Sequence, residues 1–247
     1  MIGACLICLS ACEPSEPITE GPPPDVRRLT EDQYRNIISD VFGASIVVGG
    51  RFDTPVRTEG LQAVGARNAT VTAAALSQYD EMARSISRQV MSGPSRQFMA
   101  PCAATGQVEF DEHCTTQLVT KIGRLLFRRP MTDREISDRV GVVRETTQRL
   151  NDFSEGLSTG LASLLVSPQF LFVADVVEDD PNESNALRLN AFSKATRLSF
   201  FLWNRSPDKR LLEAAESGEL HSEDSLESHV ERMMASPLLK AGVRAFF

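Results

Sequence analysis

Leu118-Val119-Thr120-Lys121-Ile122-Gly123-Arg124-Leu125-Leu126-Phe127-Arg128-Arg129-Pro130-Met131-Thr132-Asp133-Arg134-Glu135-Ile136 contains one helix, its stop, and the start of the next. Leu118, Val119, Ile122, Leu125 and Leu126 recur at steps of three and four, which places them on one helical face. Pro130 ends that run, because its ring removes an amide donor and crowds the preceding turn. Thr132 followed by Glu135 then forms a capping box, with Met131 and Ile136 spaced as its hydrophobic staple. A half-buried strand would alternate every second residue instead, so this stretch reads as helix, break, helix.

The same punctuation repeats outward in both directions. Upstream, Thr30 and Gln33 form a capping box before Tyr34, Ile37, Ile38, Val41 and Phe42, and Gly43 is a stop signal. From Ala44 to Asn68 the pattern breaks around Gly49-Gly50 and Pro55, with room for a short strand at Ile46-Val47-Val48. Thr72 caps a second helix whose face is Leu76, Tyr79, Met82, Ile86 and Val90, with Val71 as its staple partner. Downstream, a helix from about Asp152 presents Phe153, Leu157, Leu161, Leu164 and Leu165, and another runs from Asn190 to about Trp203. Ser206-Pro207-Asp208 supplies a cap, a proline in the first turn and an acid. A shorter helix ends at Gly218, another starts near Ser222 or Ser225, and Ser236-Pro237 opens a last one. The fold class expected is all-α: a multi-helix, bundle-like body with a long irregular connection and one disulfide loop.

The 247 residues are 42% hydrophobic and 24% charged, enough apolar material for a substantial core. A net charge of −7 argues against nucleic acid, whose phosphates require a basic face. The pairs Arg27-Arg28 and Arg128-Arg129 fall at helix ends, where they serve carbonyls or carboxylates. No apolar run approaches the roughly 20 residues of a membrane-spanning helix.

Leu9-Ser10-Ala11-Cys12 follows a short apolar run and precedes a segment rich in proline and glutamate. That layout resembles a bacterial lipoprotein signal, in which the cysteine is acylated and becomes the mature N-terminus. The leader Met1-Ile2-Gly3 lacks the usual basic residue and the apolar core is short, so an upstream start and an incidental cysteine both stay open. Lipidation of Cys12 is nonetheless favoured, because a proline-rich semi-rigid spacer suits a tether better than a domain start. The expectation is an exported lipoprotein on the periplasmic or outer-membrane side, with the membrane as partner through its acyl chains.

Cys5 and Cys8 would leave with the signal, and Cys102 and Cys114 remain as an isolated pair. In an exported chain such a pair most readily forms a disulfide. Free thiols and a metal site built from Cys102, Asp111, His113 and Cys114 are the alternatives, though adjacent His113 and Cys114 make an awkward ligand pair. Gly156-Leu157-Ser158-Thr159-Gly160 matches a nucleophile elbow, but it sits in a helical pattern rather than on a strand-to-helix turn. Its glycines read better as close-packing positions. His113, His221 and His229 form no ligand spacing and read as solvated. Trp203 with Phe200 and Phe201 reads as core. No catalytic, cofactor-binding or metal residue is assigned.

Four strings carry a resemblance: Arg28-Leu29-Thr30 through Tyr34-Arg35-Asn36 to Gly43; Leu126-Phe127-Arg128-Arg129-Pro130-Met131-Thr132 through Glu135; Ser167-Pro168-Gln169-Phe170-Leu171; and Thr196-Arg197-Leu198-Ser199-Phe200-Phe201-Leu202-Trp203 through Asp208. In this order they resemble the domains of unknown function that accompany planctomycete-type cytochromes c. The resemblance implies an exported multidomain protein whose relatives carry a Cys-x-x-Cys-His haem motif further on. This chain has no such motif, so no haem ligand is carried over to any residue, and haem c belongs at most to a downstream segment.

The organisation expected is a signal at 1–12, a tether at 13–26, a first helical subdomain with the cysteine loop at 27–113, and a second, truncated one at 114–247. The function expected is a lipid-anchored binding or scaffolding module of a redox-associated assembly, with protein partners there. The alternative is the N-terminal portion of a haem-c-dependent oxidoreductase, which a Cys-x-x-Cys-His motif in the downstream reading frame would favour.

Overall fold

A computed structural model describes residues 26–52, 72–94, 96–103 and 106–246. Short strand β1 (Val26–Arg28) leads into α1 (Glu31–Phe42), and α2 (Ala73–Ser92) and the single turn α3 (Arg96–Met99) follow. Three consecutive helices come next: α4 (Glu112–Phe127), α5 (Asp133–Leu150) and α6 (Phe153–Leu165). Then α7 (Pro168–Leu171) runs straight into β2 (Phe172–Ala174), and hairpin strands β3 (Val177–Asp179) and β4 (Leu187–Leu189) precede α8 (Ala191–Trp203). The remainder is α9 (Lys209–Glu216), a 3₁₀ turn (Glu219–His221), α10 (Glu223–Met234) and α11 (Leu239–Phe246). The fold class is therefore all-α among the described residues, with two small antiparallel ribbons, β1 on β2 and β3 on β4.

Both capping boxes form. Thr30 accepts from the Gln33 amide at 3.2 Å while the Gln33 side chain accepts from the Thr30 amide, and Thr132 and Glu135 repeat the exchange. Each pair satisfies two amides that a helix start otherwise leaves without partners.

Several boundaries differ from expectation, each for a local reason. The helix expected at Leu118 starts at Glu112, because the Asp111 carboxylate accepts from the Cys114 amide at 2.8 Å and caps it earlier. Cys114 thus lies in a helix, not a loop. Asp208, not Ser206, caps α9, accepting from the Leu211 amide at 2.8 Å. The last helix begins at Leu239, past Ser236-Pro237. No strand forms at Ile46–Val48. Instead the Gln89 side-chain amide pairs with both backbone groups of Val47, at 2.8 and 2.9 Å, doing what a neighbouring strand would do. Pro55 and Val71 lie outside the described residues.

The apolar stripes meet in two clusters. The larger gathers Tyr34, Ile38, Ile86, Leu126, Phe153 and Leu164, and draws on residues to both sides of position 113. The smaller joins Ala195, Trp203, Leu211, Leu220 and Met233 from α8 through α10.

Helices α5 and α6 approach closely at the two glycines of the elbow-like string. A methyl on Gly156 would sit 2.1 Å from the Thr147 hydroxyl and 2.9 Å from the Val143 carbonyl; on Gly160 it would sit 2.3 Å from Val143 Cγ2. Ser158, between them, is buried inside the helix rather than presented on a turn. Gly156→Ala gains about 1 kcal/mol of helix propensity, but overpacking against backbone costs about 1–3 kcal/mol. The expected net result is a lower urea midpoint; an unchanged or higher one would mean the two helices can separate freely.

Candidate functional site

Arg128 ends α4 in the left-handed region, with φ 59° and ψ 22°. Such a conformation is uncommon without glycine, and here it accompanies a side chain that is itself almost fully buried. One terminal nitrogen donates to the Leu126 carbonyl at 2.8 Å and, more weakly, to Phe170 at 3.4 Å. The other donates to Gln169 at 2.9 Å and Phe172 at 2.8 Å. Because α7 is a single turn, its carbonyls find few amide donors of their own, and one guanidinium collects them.

Two more guanidiniums lie nearby. Arg27 sits 5.0 Å from the centroid of the Phe200 ring, and Arg128 sits 5.9 Å from it. Arg129 binds Glu135 with both nitrogens, at 2.9 and 2.7 Å. Those bonds, with the Thr132 amide, hold the Glu135 carboxyl down at about 2, and the same pairing raises Arg129. Burial first, then the neighbouring charges of Arg27 and Arg129, pushes Arg128 down to about 9. Among the described residues no carboxylate is paired with Arg128, which is held by carbonyl oxygens alone.

Arg128 and Arg129 line a cleft of about 450 Å³. Its apolar walls are Val26 of β1, Phe127 of α4, Pro168 of α7, Phe172 and Val173 of β2, Val176, and Phe192 of α8. The polar groups are largely engaged by the fold itself. Asn190 caps α8 by accepting from the Ser193 amide at 2.8 Å, and Ser193 Oγ accepts from the Val176 amide at 2.9 Å. Among the described residues no aspartate or glutamate lines the cleft. The arrangement offers shape, apolar surface and positive potential.

The residues singled out from sequence fall elsewhere. Cys102 and Cys114 are joined as a disulfide, with Cα atoms 5.5 Å apart. That removes the metal reading, since both thiolates are spent on each other, Asp111 is a helix cap, and His113 pairs with Gln117 at 2.9 Å. Cys12 lies outside the described residues. His229 is not solvated as expected: it is buried in α10, its Nδ1 lies 3.5 Å from Arg232, and burial and that cation lower its pKa. His221 lies 3.2 Å from Glu178, and its pKa is likewise lowered, first by burial and then by Lys194 and Arg188. Trp203 and Phe200 are core as expected, the Trp203 indole N–H donating to the Met233 carbonyl at 2.9 Å, but Phe201, expected with them, is exposed. No helix among the described residues is long and apolar enough to cross a membrane.

The cleft itself was not foreseen. Its parts stand in two of the strings quoted above, around Arg128-Arg129-Pro130 and Ser167-Pro168-Gln169, but no spacing rule says that positions 128 and 169–172 meet. The only sequence signal was that arginines at a helix end seek carbonyls.

Comparison with known families matches three successive segments. Residues 27–92 match PSD3: Protein of unknown function (DUF1587), residues 114–175 match PSD5: Protein of unknown function (DUF1595), and residues 189–247 match PSD4: Protein of unknown function (DUF1592). These are domains that accompany planctomycete-type cytochrome c proteins, as the quoted strings led one to expect. No curated protein and no solved structure matches. The cleft lies where the second and third matched segments meet.

Proposed function

We propose, for a chain built of three domains that accompany planctomycete-type cytochromes c, that it is an exported, lipid-anchored binding module serving a redox-associated assembly. The observation that carries this reading is the cleft at the meeting of the second and third segments. Its walls are apolar, and its arginines, asparagine and Ser193 hold the fold together. Groups committed in that way shape and charge a site, which suits recognition better than bond making. The Cys102–Cys114 disulfide is consistent with export, because such bonds persist in oxidising compartments.

Two measurements test this. Cys12→Ala is expected to abolish labelling by a fatty-acid probe and move the protein from the membrane to the soluble fraction; unchanged labelling and fractionation would remove the anchor. Zero-length crosslinking in native membranes, followed by purification and a stain for covalent haem, is expected to give a heavier haem-positive adduct. An adduct without haem, or none, would remove the redox-assembly reading while leaving the anchor standing.

A further inference from the structure

Buried charges in proteins are normally paired, because an ion taken out of water loses far more hydration than neutral dipoles return. Arg128 departs from that rule. It is 4% exposed, its four hydrogen bonds all end on backbone carbonyls, and Arg27 and Arg129 stand close enough to disfavour its charge. Glu135 neutralises Arg129 alone, through two short bonds. Arg128 therefore keeps a positive charge that no carboxylate among the described residues pairs, inside a chain whose net charge is −7. That charge borders a cleft whose other walls are largely aliphatic and aromatic and which no acidic side chain among the described residues lines.

We propose that this cleft is a binding site for a small alkyl carboxylate, an apolar chain with one anionic head, and that the head supplies the counter-charge Arg128 lacks. The inference rests on the reading of the cleft as a recognition site, and names its ligand class. Each half of such a ligand matches one half of the site. The chain lies against Val26, Phe172, Val176 and Phe192, while the carboxylate takes the end bounded by Arg128 and Arg129. A volume of about 450 Å³ lies within the range of small-ligand pockets. A neutral alcohol of the same length would fill the walls but leave the charge unmet, and an alkylammonium would be repelled.

Isothermal titration of the full chain with octanoate, octan-1-ol and octyltrimethylammonium tests this. Octanoate is expected to bind about tenfold tighter than the alcohol, and the ammonium not to bind. Raising sodium chloride from about 0.01 to about 1 M, which shortens the screening length from about 30 to about 3 Å, is expected to weaken octanoate and spare the alcohol. Val176→Glu, at a half-exposed position on the cleft wall, removes an apolar contact from both ligands and adds a negative charge, so it is expected to weaken octanoate about tenfold more than it weakens the alcohol. Equal binding of octanoate and alcohol, or no binding of octanoate, would overturn the assignment, as would indifference to salt. The salt series uses the unaltered protein and so decides the matter even if the variant fails to fold. Binding of an apolar acetylated tripeptide acid in preference to octanoate would overturn the small-molecule assignment in favour of a protein chain end. None of these outcomes bears on the haem-positive adduct, so this assignment and the assembly reading fail separately.

Discussion

Arg128→Met is expected to lower the unfolding free energy by about 3–5 kcal/mol, the net of several buried carbonyls left without a donor and a buried cation removed. Two effects compete. Methionine relieves the desolvation of an uncompensated cation and its repulsion by Arg27 and Arg129. It also leaves the carbonyls of Leu126, Gln169, Phe170 and Phe172 without the donor that gathers them. Each buried acceptor left unmet costs about 1–3 kcal/mol, so four losses outweigh the relief. In a chain of this length the melting temperature is expected to fall by roughly 6–20 °C. Arg128→Gly separates side chain from backbone. Glycine accepts φ 59° without strain, so a similar loss in that variant would place the effect on the guanidinium. A wild-type melting temperature in both variants would mean that the carbonyls find other donors and that α7 and β2 do not depend on this residue.

Removing the disulfide with Cys102→Ala and Cys114→Ala together is expected to cost about 3 kcal/mol, the entropy of leaving a loop of this size open in the unfolded chain. The folded state has a stake as well. The segment carrying Cys102 continues through Gln107, whose carbonyl accepts from the Phe153 amide at 3.1 Å, to Phe110, whose ring meets that of Phe153 edge-on at 6.3 Å. Phe153 is fully buried at the start of α6, so loosening the loop uncovers the core near α6. The melting temperature of the unaltered chain is expected to fall by roughly 6–12 °C on adding a membrane-permeant reductant, and that of the double variant not to respond. Identical melting with and without reductant would show that helix packing alone holds this region.

The helices themselves were legible because their signals are local. Thr30 with Gln33, Thr132 with Glu135, Thr72 and Asn190 each cap the helix that follows, since the groups that need capping lie three residues away. The stripe from Tyr34 to Phe42 faces the core as its period requires, with Val41 half-buried at its edge. The misplaced boundaries have two causes, one local and one distant. Asp111 extends α4 by capping Cys114, and Asp208 displaces Ser206 because Arg232 binds its carboxylate at 2.7 Å from a position far along the chain. Local pattern offered Ser206 as the cap and Asp208 as a first-turn acid, and the residue with the distant partner is the one that caps. His229 followed the same logic: a polar neighbourhood in sequence became a buried one once α10 packed against α8.

Sequence by itself determined the class of structure, the rhythm of starts and stops, the family strings and the pairing partner of each remaining cysteine, because those depend on contacts a few residues apart or on having a single candidate. Tertiary structure alone decided that the carbonyls ending α7 would converge on Arg128, that Gln89 would stand in for a strand beside Val47, and that an apolar cleft would open beside a cation held by carbonyls. Those are meetings between residues tens of positions apart. The free energy of such meetings comes from burial and desolvation, which no periodicity encodes, since an arginine in a row of letters has no surroundings until the chain folds round it.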